Sequence, residues 1–258
     1  MTMKQLIFRP ATVLLLAICA ISIPVQAQTN TLPATEKKPQ WESTVALGFT
    51  LTRGNSETLL ATLTAGTRKK WLDNELSFGA DGTYGESTVN GQQTINANSA
   101  KGVAQYNRLF TERFFGYLRV DGMFDDVADI YYRTTMSPGI GYYFIKNTNA
   151  DLCLELGPGY LFENVGGVKD DYATLRVGEK FHYALSDRAR LTQTAEWLPK
   201  VQDFQNYIIN FLIGVEADLT ADKKFTLGVF LYDNYDNIPA PGRKCNDIKL
   251  VTAIGYKF

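Results

Sequence analysis

Histidine is nearly missing from this chain of 258 residues; His182 is the only one. A multi-histidine metal centre is therefore excluded, and histidine acid–base chemistry would have to run through one position. Cysteine is scarce too. Cys19 lies in an apolar leader, which leaves Cys153 and Cys245. Two thiols in that arrangement are neither a metal-ligand spacing nor a disulfide framework. Charge of neither sign dominates, with 26 basic and 27 acidic residues, so composition gives no reason to expect nucleic acid as a partner. Long apolar runs are absent after residue 27, and nothing there could span a bilayer as a helix. A β-barrel escapes this last exclusion, because its apolar residues alternate with polar ones.

The one long apolar run, Ala11 to Ile23, follows Lys4 and Arg9 and leads into Val25-Gln26-Ala27. A basic start, a short apolar stretch and small residues at the end predict a secretory signal over residues 1–27, cleaved after Ala27. Cys19 does not make it a lipoprotein signal, since bulky Ile18 precedes it. Cleavage removes two basic residues and leaves 24 against 27 acids, a net charge of −3. Residues 28–40, QTNTLPATEKKPQ, then form a polar linker with two prolines and nothing to build a core.

From Trp41 to the last residue the pattern has a period of two. Val45, Leu47, Phe49 and Leu51 alternate with Thr44, Ala46, Gly48 and Thr50. Leu76, Phe78 and Ala80 alternate with Ser77, Gly79 and Asp81. Such alternation marks strands whose two faces meet different surroundings. It predicts about twelve strands, near 41–53, 58–71, 75–85, 98–110, 114–124, 133–145, 150–163, 172–185, 189–198, 206–219, 224–234 and 247–258. Every second connection is tight. Those between are expected to be long, at 86–97, 125–132, 164–171, 199–205 and 235–246, with room for a helical turn in 125–132. Successive antiparallel turns fall at opposite ends. An all-β, up-and-down antiparallel transmembrane β-barrel is the expected fold over 41–258, with short periplasmic turns, long external loops and a periplasmic amino terminus.

Aromatic residues of the apolar parity gather at both ends. Trp41, Trp71, Phe110, Phe144, Tyr183, Phe225, Tyr256 and Phe258 lie at the tight-turn end, and Tyr84, Phe124, Tyr160, Phe162, Trp197 and Tyr207 at the other. Two such belts are expected where a barrel meets the two surfaces of a membrane, with outer-membrane lipid between them. The closing strand ends on Phe258. A terminal aromatic after alternating apolar residues resembles the signal by which such barrels engage their assembly machinery.

If the apolar face meets lipid, the other lines a lumen. Arg68, Asp81, Lys101, Arg119, Glu155, Arg176, Lys180, Glu196 and Glu216 fall on that parity, as do Lys70, Gln105, Asp121, Arg190, Lys249 and Lys257. Mixed signs predict internal ion pairs rather than the single-sign rings of a selective channel. Both a narrow pore and a closed interior stay open at this point. No cofactor is expected. An outer-membrane hydrolase would need His182, which is expected inside the barrel near the periplasmic end, away from outer-leaflet lipid. The remaining alternative is a soluble secreted β-protein that binds an apolar ligand. Cys153 and Cys245 are expected at opposite ends, too far apart for a disulfide. Glu179 falls on the lipid parity in mid-strand, where a charge is unfavourable. A bulge at Gly178 would turn it inward; otherwise it marks contact with another barrel.

The first hairpin, TRGNSET over residues 52–58, joins two strands whose apolar faces must agree. Leu51 must face the same way as Leu59, which demands an odd loop, either Arg53-Gly54-Asn55 or Gly54-Asn55-Ser56. Arg53 and Glu57 would flank this external turn, the one tight connection at its end. Here the chain also resembles a known family. Gly48-Phe49 followed by Thr52-x-Gly54-Asn55-Ser56-x-Thr58, after a strand opened by Trp41, is similar to the salt-induced outer-membrane proteins, a domain of unknown function. The likeness extends over most of 41–258. It implies an outer-membrane barrel of a Gram-negative bacterium and supplies no agreed substrate and no catalytic residues; the leading expectation is a non-enzymatic barrel that passes small solutes or serves an envelope role under osmotic stress.

Overall fold

The computed structural model describes residues 40–52, 56–89 and 92–258. The leader (1–27), all but the last residue of the linker (28–40), and Arg53, Gly54 and Asn55 of the first hairpin lie outside the described residues. The chain from Trp41 forms twelve strands: β1 (Trp41–Thr52), β2 (Ser56–Trp71), β3 (Asn74–Val89), β4 (Gln92–Leu109), β5 (Phe114–Asp125), β6 (Ile130–Lys146), β7 (Ala150–Val165), β8 (Val168–Ser186), β9 (Ala189–Lys200), β10 (Asp203–Asp218), β11 (Phe225–Asp236) and β12 (Asn246–Lys257). Each pairs antiparallel with its sequence neighbours, and β1 pairs with β12 to close the barrel. The seam runs from Thr44 opposite Lys257 to Gly48 opposite Ala253. Phe258 extends it, since its amide donates to the Ser43 carbonyl and its carbonyl accepts from the Ser43 amide.

The molecule is inside out by the standard of a soluble protein. Among the described residues the buried side chains include as many polar as apolar ones, whereas Leu47, Phe49, Leu63, Ile140, Leu156, Ile248, Leu250 and Ile254 are exposed. These exposed side chains share the outward parity of their strands, and no helix of the described residues is long and apolar enough to cross a membrane. Rings lie in contact around both ends of the outward face. Trp71 with Tyr106, Tyr142 with Phe144 and Phe225 with Tyr256 flank the tight-turn end; Tyr160 with Phe162, Trp197 with Phe204 and Tyr207 with Tyr235 flank the far end.

The expected long loops are mostly strand. β3 and β4 continue to Val89 and Gln92, and β7 and β8 to Val165 and Val168. Gly166 and Gly167 join the latter pair with φ of +59° and +83°, the left-handed conformations that a two-residue primed turn needs and glycine adopts without strain. Beyond the far aromatics both faces of a strand meet water. The apolar–polar contrast therefore disappears while the backbone ladder continues. Asn96 adds a second reason in β4: a bulge shifts the register between Gly85 opposite Ala97 and Glu86 opposite Ile95, which breaks the alternation there. Only 237–245 remains a long connection. The segment 126–129 is a turn, with Asp129 at φ 56°.

Parity in the first hairpin is as required, with Leu51 opposite Leu59 and Phe49 opposite Ala61. Thr52 stands opposite Thr58 as the last pair of this hairpin; the choice between Arg53-Gly54-Asn55 and Gly54-Asn55-Ser56 falls on residues outside those described. Ser56 and Glu57 pair with Val89 and Thr88 of β3. With its neighbours shortened, this hairpin is no longer a uniquely tight turn at its end.

The bulge expected at Gly178 is not there. Register runs unbroken through Gly178 on both sides, and Glu179 stays on the outward face, opposite Leu154 and Ala195. Gly178 faces inward, where an added Cβ would stand 3.0 Å from the Arg176 guanidinium; the glycine makes room for that side chain.

If the outward face meets hydrocarbon, Leu156→Arg should lower the free energy of folding into lipid vesicles by about 2–4 kcal/mol, read from denaturant midpoints. The same change at Leu72, in a turn and 95 % exposed, should leave the midpoint in place.

Candidate functional site

The inward side chains form three tiers. The middle one is a plug. Glu155, on β7 and 1 % exposed, accepts hydrogen bonds from Gln105 Nε2 at 2.9 Å, Lys180 Nζ at 2.7 Å and Arg176 Nη1 at 2.8 Å. Arg176 also donates through Nε to Glu196 at 2.5 Å and covers the Tyr117 ring at 5.2 Å. Arg119 grips Asp121 through two nitrogens, at 3.0 and 2.6 Å, and stands 3.8 Å from Glu196. Lys180 reaches Gln105 at 3.1 Å. Gln105 is on β4 and Lys180 on β8; Arg119 is on β5 and Glu196 on β9. These strands are not neighbours, so the bonds cross the interior of the barrel.

Two features bring the walls close enough for this. One is glycine opposite aromatic. Phe115 pairs with Gly141 and Tyr117 with Gly139, and a Cβ on either glycine would collide with the facing ring. Phe230 opposite Gly214 repeats the arrangement on the other wall. The rings thus lie flat over neighbouring strands instead of projecting across the lumen. The other feature is electrostatic. A carboxylate and a guanidinium removed from water are tolerated only if both are paired and hydrogen-bonded; in the plug Glu155 accepts three hydrogen bonds and Arg176 meets two carboxylates.

The tier at the tight-turn end joins Arg190, Glu216, Asp218 and Lys257. Arg190 bonds Glu216, and Lys257 sits 3.2 Å from Glu216 and 2.9 Å from Asp218. Arg68 contacts Glu42 at 2.6 Å and approaches Glu75 at 4.0 Å. His182 lies in this tier, half exposed, with Nδ1 3.1 Å from Asp151.

The third tier closes the far mouth. Arg133 of β6 holds Glu163 of β7 and Asp236 of β11, each at 2.6 Å. The loop 237–245 folds across the opening. Its Ala240 is buried beside Gly166, and Arg243 donates to Asp129 at 2.7 Å. That bond holds the Asp129 carboxyl below its usual range. Below the loop a cavity of about 400 Å³ descends to the plug, lined by Arg133, Asp236 and Arg243 above and by Lys101, Asp121, Glu196 and Lys249 lower down. Asp81 pairs with Lys101 in register across β3 and β4.

The nine lumen residues named from sequence are thus distributed over the tiers. Arg119, Glu155, Arg176, Lys180 and Glu196 meet in the plug, Lys101 borders the cavity with Asp81 beside it, and Arg68 and Glu216 join different clusters at the tight-turn end. The external hairpin residues Arg53, Gly54 and Asn55 lie outside the described residues. Arg133, Glu163, Asp236 and the Arg243–Asp129 clasp were not legible in the sequence. Arg133 and Asp236 stand 103 positions apart; Arg133 opens the strand read at 133–145, and Asp236 falls just past the one read at 224–234. Among the described residues no group of three or more His, Cys, Asp or Glu is placed to hold a metal ion. Cys153 and Cys245 are both free.

A closed twelve-stranded antiparallel barrel with an apolar outside and a charged inside has the outer-membrane β-barrel fold. The chain belongs to the family described as "Protein of unknown function, DUF481", whose model matches residues 45–258. Sequence comparison with curated proteins returns no match. Among solved structures it is similar to the NanC porin, with 9 % identity and a TM-score of 0.50 over 83 % of this chain and 98 % of that one. The KdgM porin in complex with disordered oligogalacturonate gives 10 % identity and a TM-score of 0.48 over 84 % and 99 %. An outer-membrane channel from Pseudomonas putida F1 gives 10 % and 0.48 over 89 % and 100 %. At these identities the likeness is one of fold.

Removing one partner of the plug leaves the others charged and buried. Glu155→Ala should cost about 3–5 kcal/mol in unfolding free energy, whereas Arg68→Ala, which opens a half-exposed pair, should cost no more than about 1 kcal/mol. Denaturant titration of the two variants in detergent checks the contrast.

Proposed function

We propose that the protein is an integral outer-membrane channel of narrow bore, non-enzymatic, passing small polar solutes past an internal plug. The observation that carries this reading is the cavity that runs from the clasped mouth down to the plug between walls charged with both signs. Mixed signs favour passage of small polar or zwitterionic solutes over strong selection between cations and anions. The strands opposite the plug add to it. Their inward positions hold small residues, Thr44, Ala46, Thr64 and Gly66.

The chain's ends then lie on the periplasmic side, the leader is removed after Ala27, and Phe258 is the residue offered to the assembly machinery. Amino-terminal sequencing of protein recovered from outer membranes should begin at Gln28; a chain still carrying Met1 would contradict the leader. On this reading the pair of His182 with Asp151, 3.1 Å apart, is a structural contact of the tight-turn end.

In planar lipid bilayers the purified protein should give small, discrete conductance steps with weak ion selectivity. Arg243→Gln should enlarge the steps or their open fraction by freeing loop 237–245. Acidification should act in the same direction. The folded carboxyl of Asp129 titrates below its usual range, so the clasp is intact at neutral pH and is lost as pH falls through that lowered value. Asp129→Asn should remove this part of the pH response. A bilayer that stays silent with every variant would overturn the channel and favour an envelope role under osmotic stress instead.

A further inference from the structure

Between the two aromatic belts the outward face of the described strands carries two acids: Asp233, two residues from Tyr235 of the far aromatics and opposite Phe211 and Ile248, and Glu179, further from the strand ends. Glu179 stands opposite Leu154 on one side and Ala195 on the other, four residues from Tyr183 of the tight-turn aromatics along its own strand. No hydrogen bond or ion pair reaches it among the described residues. One strand over, Gln193 shares the outward face, opposite Phe181 and Ile213, and it too has no hydrogen-bond partner. Its place is diagonal to Glu179 across the β8–β9 pair, about 7–8 Å away by strand geometry. Around these two the outward face is apolar, with Leu154, Val177, Phe181, Trp197 and Phe211.

A polar group that faces hydrocarbon without a partner costs several kcal/mol, and a carboxyl there is a rarity that calls for a partner. The lipid chain supplies none. Turning inward is closed to Glu179, because the register is unbroken and Gly178 and Lys180 hold the inward positions on either side. What the patch presents is self-complementary: a carboxyl beside a carboxamide, with Ala195 between them small enough to let another wall approach.

We infer that the β8–β9 face is the contact by which two copies of this chain associate in the membrane, with Glu179 of each bonded to Gln193 of the other. A two-fold axis along the membrane normal keeps both copies in the same orientation and brings equal heights together, so one patch serves both sides of an isologous interface. Gln193 provides both a donor and an acceptor and therefore pairs with the acid in either protonation state. The contact does not depend on whether the lumen conducts.

The test is sedimentation equilibrium in density-matched detergent, with heat-modifiable gel migration as the check on folding. Wild type should be dimeric. Glu179→Leu and Gln193→Leu should each stay folded and raise the dimer dissociation constant at least tenfold. A Gln193→Cys chain with Cys153→Ser and Cys245→Ser should form a disulfide-linked dimer under mild oxidation in bilayers. A monomeric wild type would overturn the proposal. So would a dimer unchanged by both leucine variants, since the contact would then lie on another face.

Discussion

A backbone amide that meets hydrocarbon has no water to turn to, and each one left unpaired costs several kcal/mol. That constraint governs everything else in this molecule. It rules out open sheet edges at membrane depth, so β1 must find β12. It forces strict alternation, because every outward residue must suit lipid and every inward one shares a space with eleven other strands. Continuous ladders then fix the height of each side chain. The positions of Glu155, Arg176 and Glu196 in one layer follow from register, with no loop needed to deliver them.

The alternation also explains why the interior is ionic. A soluble protein buries its leucines and exposes its acids; here the leucines are already committed to the outside. Space inside is filled by what the inward parity allows, and long charged side chains can reach across it. Buried ion pairs of this kind add little net stability over a well-packed apolar core. Their effect is on which arrangement is tolerated. A slip of one residue between β7 and β8 would send Glu155 or Arg176 into lipid and strand its partner, so the plug guards the same register that places it.

How far the sequence revealed this can be read residue by residue. Period two survives wherever the two faces differ in solvent, so Leu47, Phe78 and Ile254 announced their strands and the lipid face together. Arg119, Glu155 and Glu196 announced their inward parity by the same means. The alternation fails where both faces are wet. Residues 86–97 and 164–171 therefore read as loops although most of them pair. Pairing partners across the lumen left no trace at all: nothing local links Arg133 to Asp236 or Arg243 to Asp129, because those contacts depend on the curvature of the closed sheet. At Gly178 local sequence is ambiguous. A glycine beside an acid of the lipid parity fits a bulge, but here its lack of a side chain makes room for Arg176 on the inner face and Glu179 stays outward.

The seam between β1 and β12 has a consequence for how the chain reaches this state. Its partners are the first and last strands, so the pairing of Thr44 with Lys257 encloses nearly the entire folding unit in one loop. Neighbouring hairpins can form from local sequence, but each growing sheet keeps two open edges until residue 258 is available. Such edges recruit other chains as readily as their own, and contacts of this sequence separation form slowly. An incomplete chain is therefore an adhesive sheet rather than a smaller barrel, and the last strand is what converts it into a closed wall.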